Sequence, residues 1–278
     1  MFSIPYTFAN EDESYITIPA LKRFAKEKKK EDLKTTVDRP QLIADIENYA
    51  NQSVEKEEEV LDWLDHVLIE GIKDVQIKCI DDSLMNDLLN DDQYVEKLLE
   101  PVLVDKNNQH LNKGYSEMLR LFRYEIVPTS EYGRRIKLYA GKLLCTFDKK
   151  HGSATTPYPI FIEIYLDQGI IVSRAKSKSG LYKYMGDFVL EAAIATKAEK
   201  EMGQAIKWAC EILALQTKSA FEASSVFKRQ LYLMLEQYTK TPKEILQLMN
   251  DKSSEIESAV DLLMNRICNL PTRYKEDV

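Results

Sequence analysis

The chain is poor in the residues that build flexible linkers, metal clusters and disulfide frameworks. Nine glycines and nine prolines are spread through 278 residues with no low-complexity tract, which leaves little room for linkers and predicts parts that pack against one another. Three histidines, His66, His110 and His151, and four cysteines, Cys79, Cys145, Cys210 and Cys268, fall in separate segments. None has the paired spacing of a zinc site or a dense disulfide framework, so the expectation is no metal, no cofactor and a reducing, cytoplasmic setting. No apolar run reaches the length of a bilayer span, and MFSIPYTFANEDESY carries neither a basic leader nor an apolar core; no membrane partner is expected. Catalytic motifs are missing too. The serines have no nucleophile-elbow context, and Gly141-Lys142 lacks the upstream glycine and following hydroxyl residue of a phosphate-binding loop.

What is present is an ordinary globular composition, 44% hydrophobic, with 38 Lys and Arg against 45 Asp and Glu, a net charge of -7. Such a balance argues against general coating of nucleic acid, which needs a basic excess to release counterions, but allows local basic patches. Two patches stand out. Leu21, Phe24 and Ala25 share one helical face while Lys22, Arg23, Lys26, Lys28, Lys29 and Lys30 surround and extend it. Thr17 is placed to cap this helix, and Asp38 to cap a second, with Pro40 in its first turn and Leu42, Ile43, Ile46 and Tyr49 as its apolar positions. The second patch, Arg174, Lys176, Lys178 and Lys183, follows an alternating run, Ile160 to Asp167, that turns at Asp167-Gln168-Gly169 into Ile170-Ile171-Val172. That run reads as a hairpin with one apolar face.

The pattern Ile18-Pro19-Ala20-Leu21-Lys22, Phe24-Ala25-Lys26 and Arg39-Pro40-Gln41-Leu42-Ile43 with Ile46 resembles a SAP, or helix-extension-helix, module over residues 16–50. Its connection, Lys28 to Thr36, is longer than usual in that family and lacks the turn glycine, with Leu33 the candidate for the buried apolar residue. The resemblance implies binding of DNA or, less often, RNA. By that logic Lys22, Lys26, Lys28, Lys29, Lys30 and Arg39 meet phosphates, which positions a duplex without reading its bases.

Ser53 to Glu70 is predicted as a helix with Val60, Leu61, Leu64, Val67 and Leu68 as its stripe, ended by Gly71 and followed by a strand through Val75, Ile77 and Cys79 that could extend the N-terminal module. Residues 81–100 are acidic around Leu84, Met85, Leu88, Leu89, Leu98 and Leu99 but lack the ligand order of a calcium loop. They read as solvated helices that pair with a basic surface of a partner or of this chain. Leu121–Val127 and Ile136–Phe147 are predicted strands, with a long exposed loop over 149–157 before the hairpin, so four successive strands make an antiparallel sheet. Beyond it, Met202, Ala205, Ile206, Ala209 and Leu213 give a helical stripe, and Phe227 to Tyr238, Thr241-Pro242-Lys243-Glu244 and Ser254-Glu255-Ile256-Glu257 signal further helices.

The expected architecture is α+β: a helical N-terminal module to residue 80, an acidic connector over 81–117, a central antiparallel sheet over 118–184, and a C-terminal helical bundle over 185–278 packed on the sheet. The expected function is non-catalytic nucleic-acid binding, of DNA in the first place, within a larger intracellular assembly, with Lys22, Lys26, Lys28, Lys29, Lys30, Arg39, Arg174, Lys176 and Lys178 as contacts. Two alternatives are carried with it. One is a protein-interaction or self-associating subunit without nucleic acid. The other is a metal-dependent nuclease using Glu163 and Asp167, against which stands Tyr165 where a common nuclease arrangement has lysine.

Overall fold

The structure, a computed structural model, describes residues 2–9, 15–28, 38–71, 73–81, 87–106, 110–128, 133–148, 152–184, 186, 193–218, 229, 232 and 233. The chain divides into two compact units, Met1–Phe227 and Lys228–Val278. Of the second, Arg229, Tyr232 and Leu233 are described and are helical. The helices expected from Thr241 and Ser254 onward lie outside the described residues.

The first unit is α+β. Its N-terminal part holds α1 (Tyr6–Ala9), α2 (Ile18–Glu27), α3 (Arg39–Ala50) and α4 (Val54–Glu70). Then come β1 (Asp74–Ile80), α5 (Asp92–Leu99), β2 (Arg120–Val127), β3 (Arg135–Asp148), β4 (Gly152–Tyr165), β5 (Ile170–Ala175), β6 (Leu181–Lys183), α6 (Ala198–Ile212) and β7 (Thr217–Lys218). Among the described residues, seven strands form one sheet in the order β2-β3-β4-β5-β1-β7, with β6 also on β3, and every strand pairing is antiparallel. β1, whose alternation places it at the end of the N-terminal module, is a strand of this sheet and lies against β5 from Asp74–Ala175 to Cys79–Ile170.

β4 sits near the middle of the sheet and its residues from Tyr158 to Tyr165 are buried on both faces. Side chains alternate across a strand. On one face Ile160, Ile162 and Ile164 join Ile136, Leu138 and Ile171 beneath Met202, Ala205, Ile206 and Ala209 of α6, with Val95 and Leu99 of α5 in the same core. On the other, Phe161 and Tyr139 join Phe122 and the apolar stripes of the N-terminal helices, among them Leu42, Ile46, Leu61, Leu64 and Leu68. The hairpin therefore lacks the solvated face its alternation predicts. Glu163 is only 6% exposed, and its burial is made tolerable by partners: it accepts from the Tyr165 hydroxyl at 2.8 Å and pairs with Arg174 at 2.5 Å. At the turn, Gly169 takes φ 62°, a left-handed conformation that costs glycine little.

The loop expected over 149–157 is shorter than its composition suggests, because β4 begins at Gly152 and pairs with β3 through Ser153, Thr155 and Pro157. Prolines argue against a central strand, yet Pro157 and Pro159 fit here for a geometric reason. Leu143, opposite Pro157, donates its N–H to Ser116 at 2.6 Å and so points it away from β4. In an antiparallel ladder the nitrogen opposite then points away from β3 as well, and no ladder bond is lost. The same phase holds two residues on, where Pro159 faces Gly141.

Gly141 has a second role. Tyr115 lies over it, its ring 4.7 Å from Phe122, and an added Cβ would stand 2.5 Å from Tyr115 Cε1 and 3.1 Å from the Tyr158 carbonyl. Gly141→Ala is expected to lower stability by about 1–3 kcal/mol through overpacking, with Tyr115→Leu recovering part of the loss in the double variant. Urea denaturation checks it, and an unchanged midpoint would refute the contact.

Candidate nucleic-acid interface

The N-terminal helices are set by their caps. The Thr17 hydroxyl accepts from the Ala20 N–H and Asp38 from Gln41, as the sequence predicts, and Ser53 accepts from Lys56 at the start of α4. In α2, Leu21, Phe24 and Ala25 are buried, with the Phe24 ring 4.8 Å from Trp63 of α4 and 6.1 Å from Tyr49 of α3. The same periodicity leaves Lys22 and Lys26, one turn apart, exposed on the opposite face.

The remaining predicted contacts divide. Lys28 pairs with Glu59 of α4 at 2.6 Å. Lys28 and the Tyr49 hydroxyl, both bonded to it, hold the Glu59 carboxyl below its ordinary value. Lys29 and Lys30 lie outside the described residues. Arg39 turns inward: its Nη1 donates to the Ala9 carbonyl at 3.1 Å and the Ile16 carbonyl at 2.9 Å, satisfying main-chain acceptors at the end of α1 and ahead of α2. It braces the module, a role that its position in the SAP-like pattern does not suggest. Arg174 is paired with Glu163. Lys176 and Lys178 stand over the Tyr15 ring, 5.5 Å and 5.0 Å from its centroid. Because Tyr15 comes just before the cap of α2, the basic tail of the hairpin and the basic helix share one module. The acidic connector pairs elsewhere, Asp92 with Arg134 and Glu100 with Lys106.

One cation of this region goes unnoticed in the sequence. Lys73 donates to the carbonyls of Ile69 and Gly71, each at 2.7 Å, closing the C-terminus of α4, and its ammonium lies 5.2 Å from the Phe161 ring centroid. Its position just past a helix-ending glycine is the one signal that could have found it. Burial, then the neighbouring Arg174, with Lys176 adding to them, pushes its pKa down to about 7.

The carboxylates of the nuclease alternative do not converge. Glu163 is held by Arg174 and Tyr165, and Asp167 accepts the Arg134 N–H at 3.1 Å. The sheet face carrying Glu163 continues as a charged ladder, in which Glu125 accepts from Tyr139 at 2.8 Å and Lys137 at 3.2 Å while Arg123 stands over the Tyr139 ring. A separate cluster surrounds His110. Its Nδ1 is 3.0 Å from Oδ2 of the buried Asp65 and its Nε2 is 2.9 Å from Glu58, both on α4. The Asp65 bond, against the opposing effect of burial and with Glu58 assisting, raises the His110 pKa to about 9.

Comparisons of the chain with protein-family models, curated proteins and solved structures found no match in any of the three. Among the described residues, no helix is long and apolar enough to cross a membrane.

Two outcomes are expected. Arg39→Lys keeps the charge but loses the fork onto two carbonyls, so stability should fall by about 1–3 kcal/mol in urea denaturation; an unaffected midpoint would leave Arg39 available to a phosphate. For Lys73, the unfolded chain keeps its proton up to the ordinary 10.5 whereas the folded chain releases it near 7. Between those values the unfolded state holds more protons, so folding stability rises with pH across the window, and the cost is fully present below it. Lys73→Met should flatten that rise, and parallel pH profiles of the two proteins would disprove it.

Proposed function

We propose that the chain binds nucleic acid without catalysis, through phosphate contacts made by its N-terminal helical module, and does so within a larger intracellular assembly. The observation that carries the reading is where the second basic group lies: Lys176 and Lys178 stand on Tyr15, just ahead of the cap of α2, and the outer face of that helix presents Lys22 and Lys26. A cation over an aromatic ring is fixed in place, and cations so placed define a surface of phosphate contacts in a chain that is acidic overall. The likeness of residues 16–50 to SAP modules supports the same reading and favours duplex DNA as the partner. Lys28, Arg174 and Arg39 serve mainly in ion pairing and bracing; among the described residues the proposed contacts are Lys22, Lys26, Lys176 and Lys178.

A few such contacts predict modest, salt-sensitive and sequence-tolerant binding. Fluorescence anisotropy with a short DNA duplex over a salt series tests it. The pairs Lys22→Glu with Lys26→Glu, and Lys176→Glu with Lys178→Glu, should each weaken binding and reduce the slope of log affinity against log salt by about 2. Binding unchanged in both pairs, or no binding at low salt, would end the proposal. A mass above the monomer with no nucleic acid retained would put protein assembly in its place.

A further inference from the structure

We infer that Glu58, Asp62 and His110 form a binding site for a divalent transition-metal ion of the zinc type. Glu58 and Asp62 are one turn apart on α4, which sets both carboxylates on one side of the helix. His110 arrives from the segment that leads into β2, and the ligand atoms of the three residues lie within 4.8 Å of one another. The cluster is more than a group of surface acids, because its imidazole is aimed by a support outside it. Asp65, with only 5% of its side chain exposed, holds His110 Nδ1 at 3.0 Å, accepts the Leu111 N–H at 2.9 Å and stands 3.5 Å from Arg123. A buried carboxylate on one imidazole nitrogen fixes the tautomer and directs the other nitrogen outward, the arrangement found behind metal-ligating histidines. Here the directed nitrogen, Nε2, points at Glu58, whose side chain is 61% exposed, so an ion can reach the site from solvent.

An imidazole nitrogen and carboxylate oxygens are both donors that zinc accepts, and three protein ligands leave its fourth position to water. Charge points the same way: Glu58, Asp62 and Asp65 outnumber the cations His110 and Arg123 around them. On binding, the Nε2 lone pair and one oxygen from each of Glu58 and Asp62 bond to the metal, the Nε2 proton passes to solvent, and the direct Nε2 to Glu58 contact is replaced. The ion would clamp α4 to the segment carrying Leu111 and Tyr115, whose hydroxyl donates to the Leu111 carbonyl, so binding should also raise thermal stability.

The test is titration of the full chain, stripped with chelator and dialysed, with zinc chloride by calorimetry at neutral pH, alongside thermal melts. One equivalent should bind and the melting temperature should rise. The double variant Glu58→Gln with Asp62→Asn, at exposed positions and with its metal-free melting temperature as the check on folding, should lose affinity at least tenfold and show no zinc-dependent melting shift. Asp65→Asn should bind about 10–100-fold more weakly at the same stoichiometry. Absence of binding, or affinity unchanged in the double variant because zinc binds elsewhere, would overturn the inference. Since His110→Gln removes the Asp65 bond as well as a ligand, the double variant carries the decision.

Discussion

Burial of β4 on both faces is the constraint from which the rest of the first unit follows. A strand enclosed on two sides needs two covers, and the chain supplies them from opposite ends: α6 from the C-terminal side over Ile160, Ile162 and Ile164, and the N-terminal helices over Phe161 and Tyr139. Enclosure also leaves no water for polar side chains. Glu163 must be answered by Arg174 and Tyr165, and Glu201 of α6, fully buried, by Lys142 at 2.9 Å and the Thr196 hydroxyl at 2.5 Å. Such pairs are expensive to break singly, because the survivor is stranded in a low-dielectric interior.

That enclosure explains how much was legible in the residues. Caps and stripes are local, so Thr17, Asp38 and Ser53, the helices they start, and the stripe from Met202 to Leu213 can be seen directly. The hairpin at Gly169 is equally local. What escapes is set by distant partners. Alternation from Phe161 to Tyr165 reads as a solvated face, because Glu163 and Tyr165 are polar; only the pairing of Glu163 with Arg174 and with the Tyr165 hydroxyl makes burial possible. The strand at Gly152–Pro159 hides behind prolines that a ladder of particular phase accepts. β6 and β7, with three and two residues, are too short to show any period.

The site divides along the same line. That Lys22 and Lys26 are outward follows from helical spacing alone. That Arg39 braces two carbonyls, that Lys28 meets Glu59, and that Lys176 and Lys178 rest on Tyr15 depends on the three-dimensional meeting of segments. A basic run in the sequence therefore overstates the charge available to a partner, because several cations are committed to holding the module together. His110 shows the converse: a histidine without a second histidine nearby acquires two carboxylate neighbours from α4, which precedes it by a full strand and helix.

The place of β1 bears on how the chain is made. Cys79 faces Ile170 across the sheet, so β1 leaves the ribosome long before its partner strand exists. At roughly 5–20 residues per second the stretch between them takes on the order of 5–20 s to synthesise. Until β5 has been made β1 lacks that partner, and an unpaired strand invites pairing with another chain. Asp74 and Lys78, on the strand itself, are the kind of charged residue that discourages such pairing.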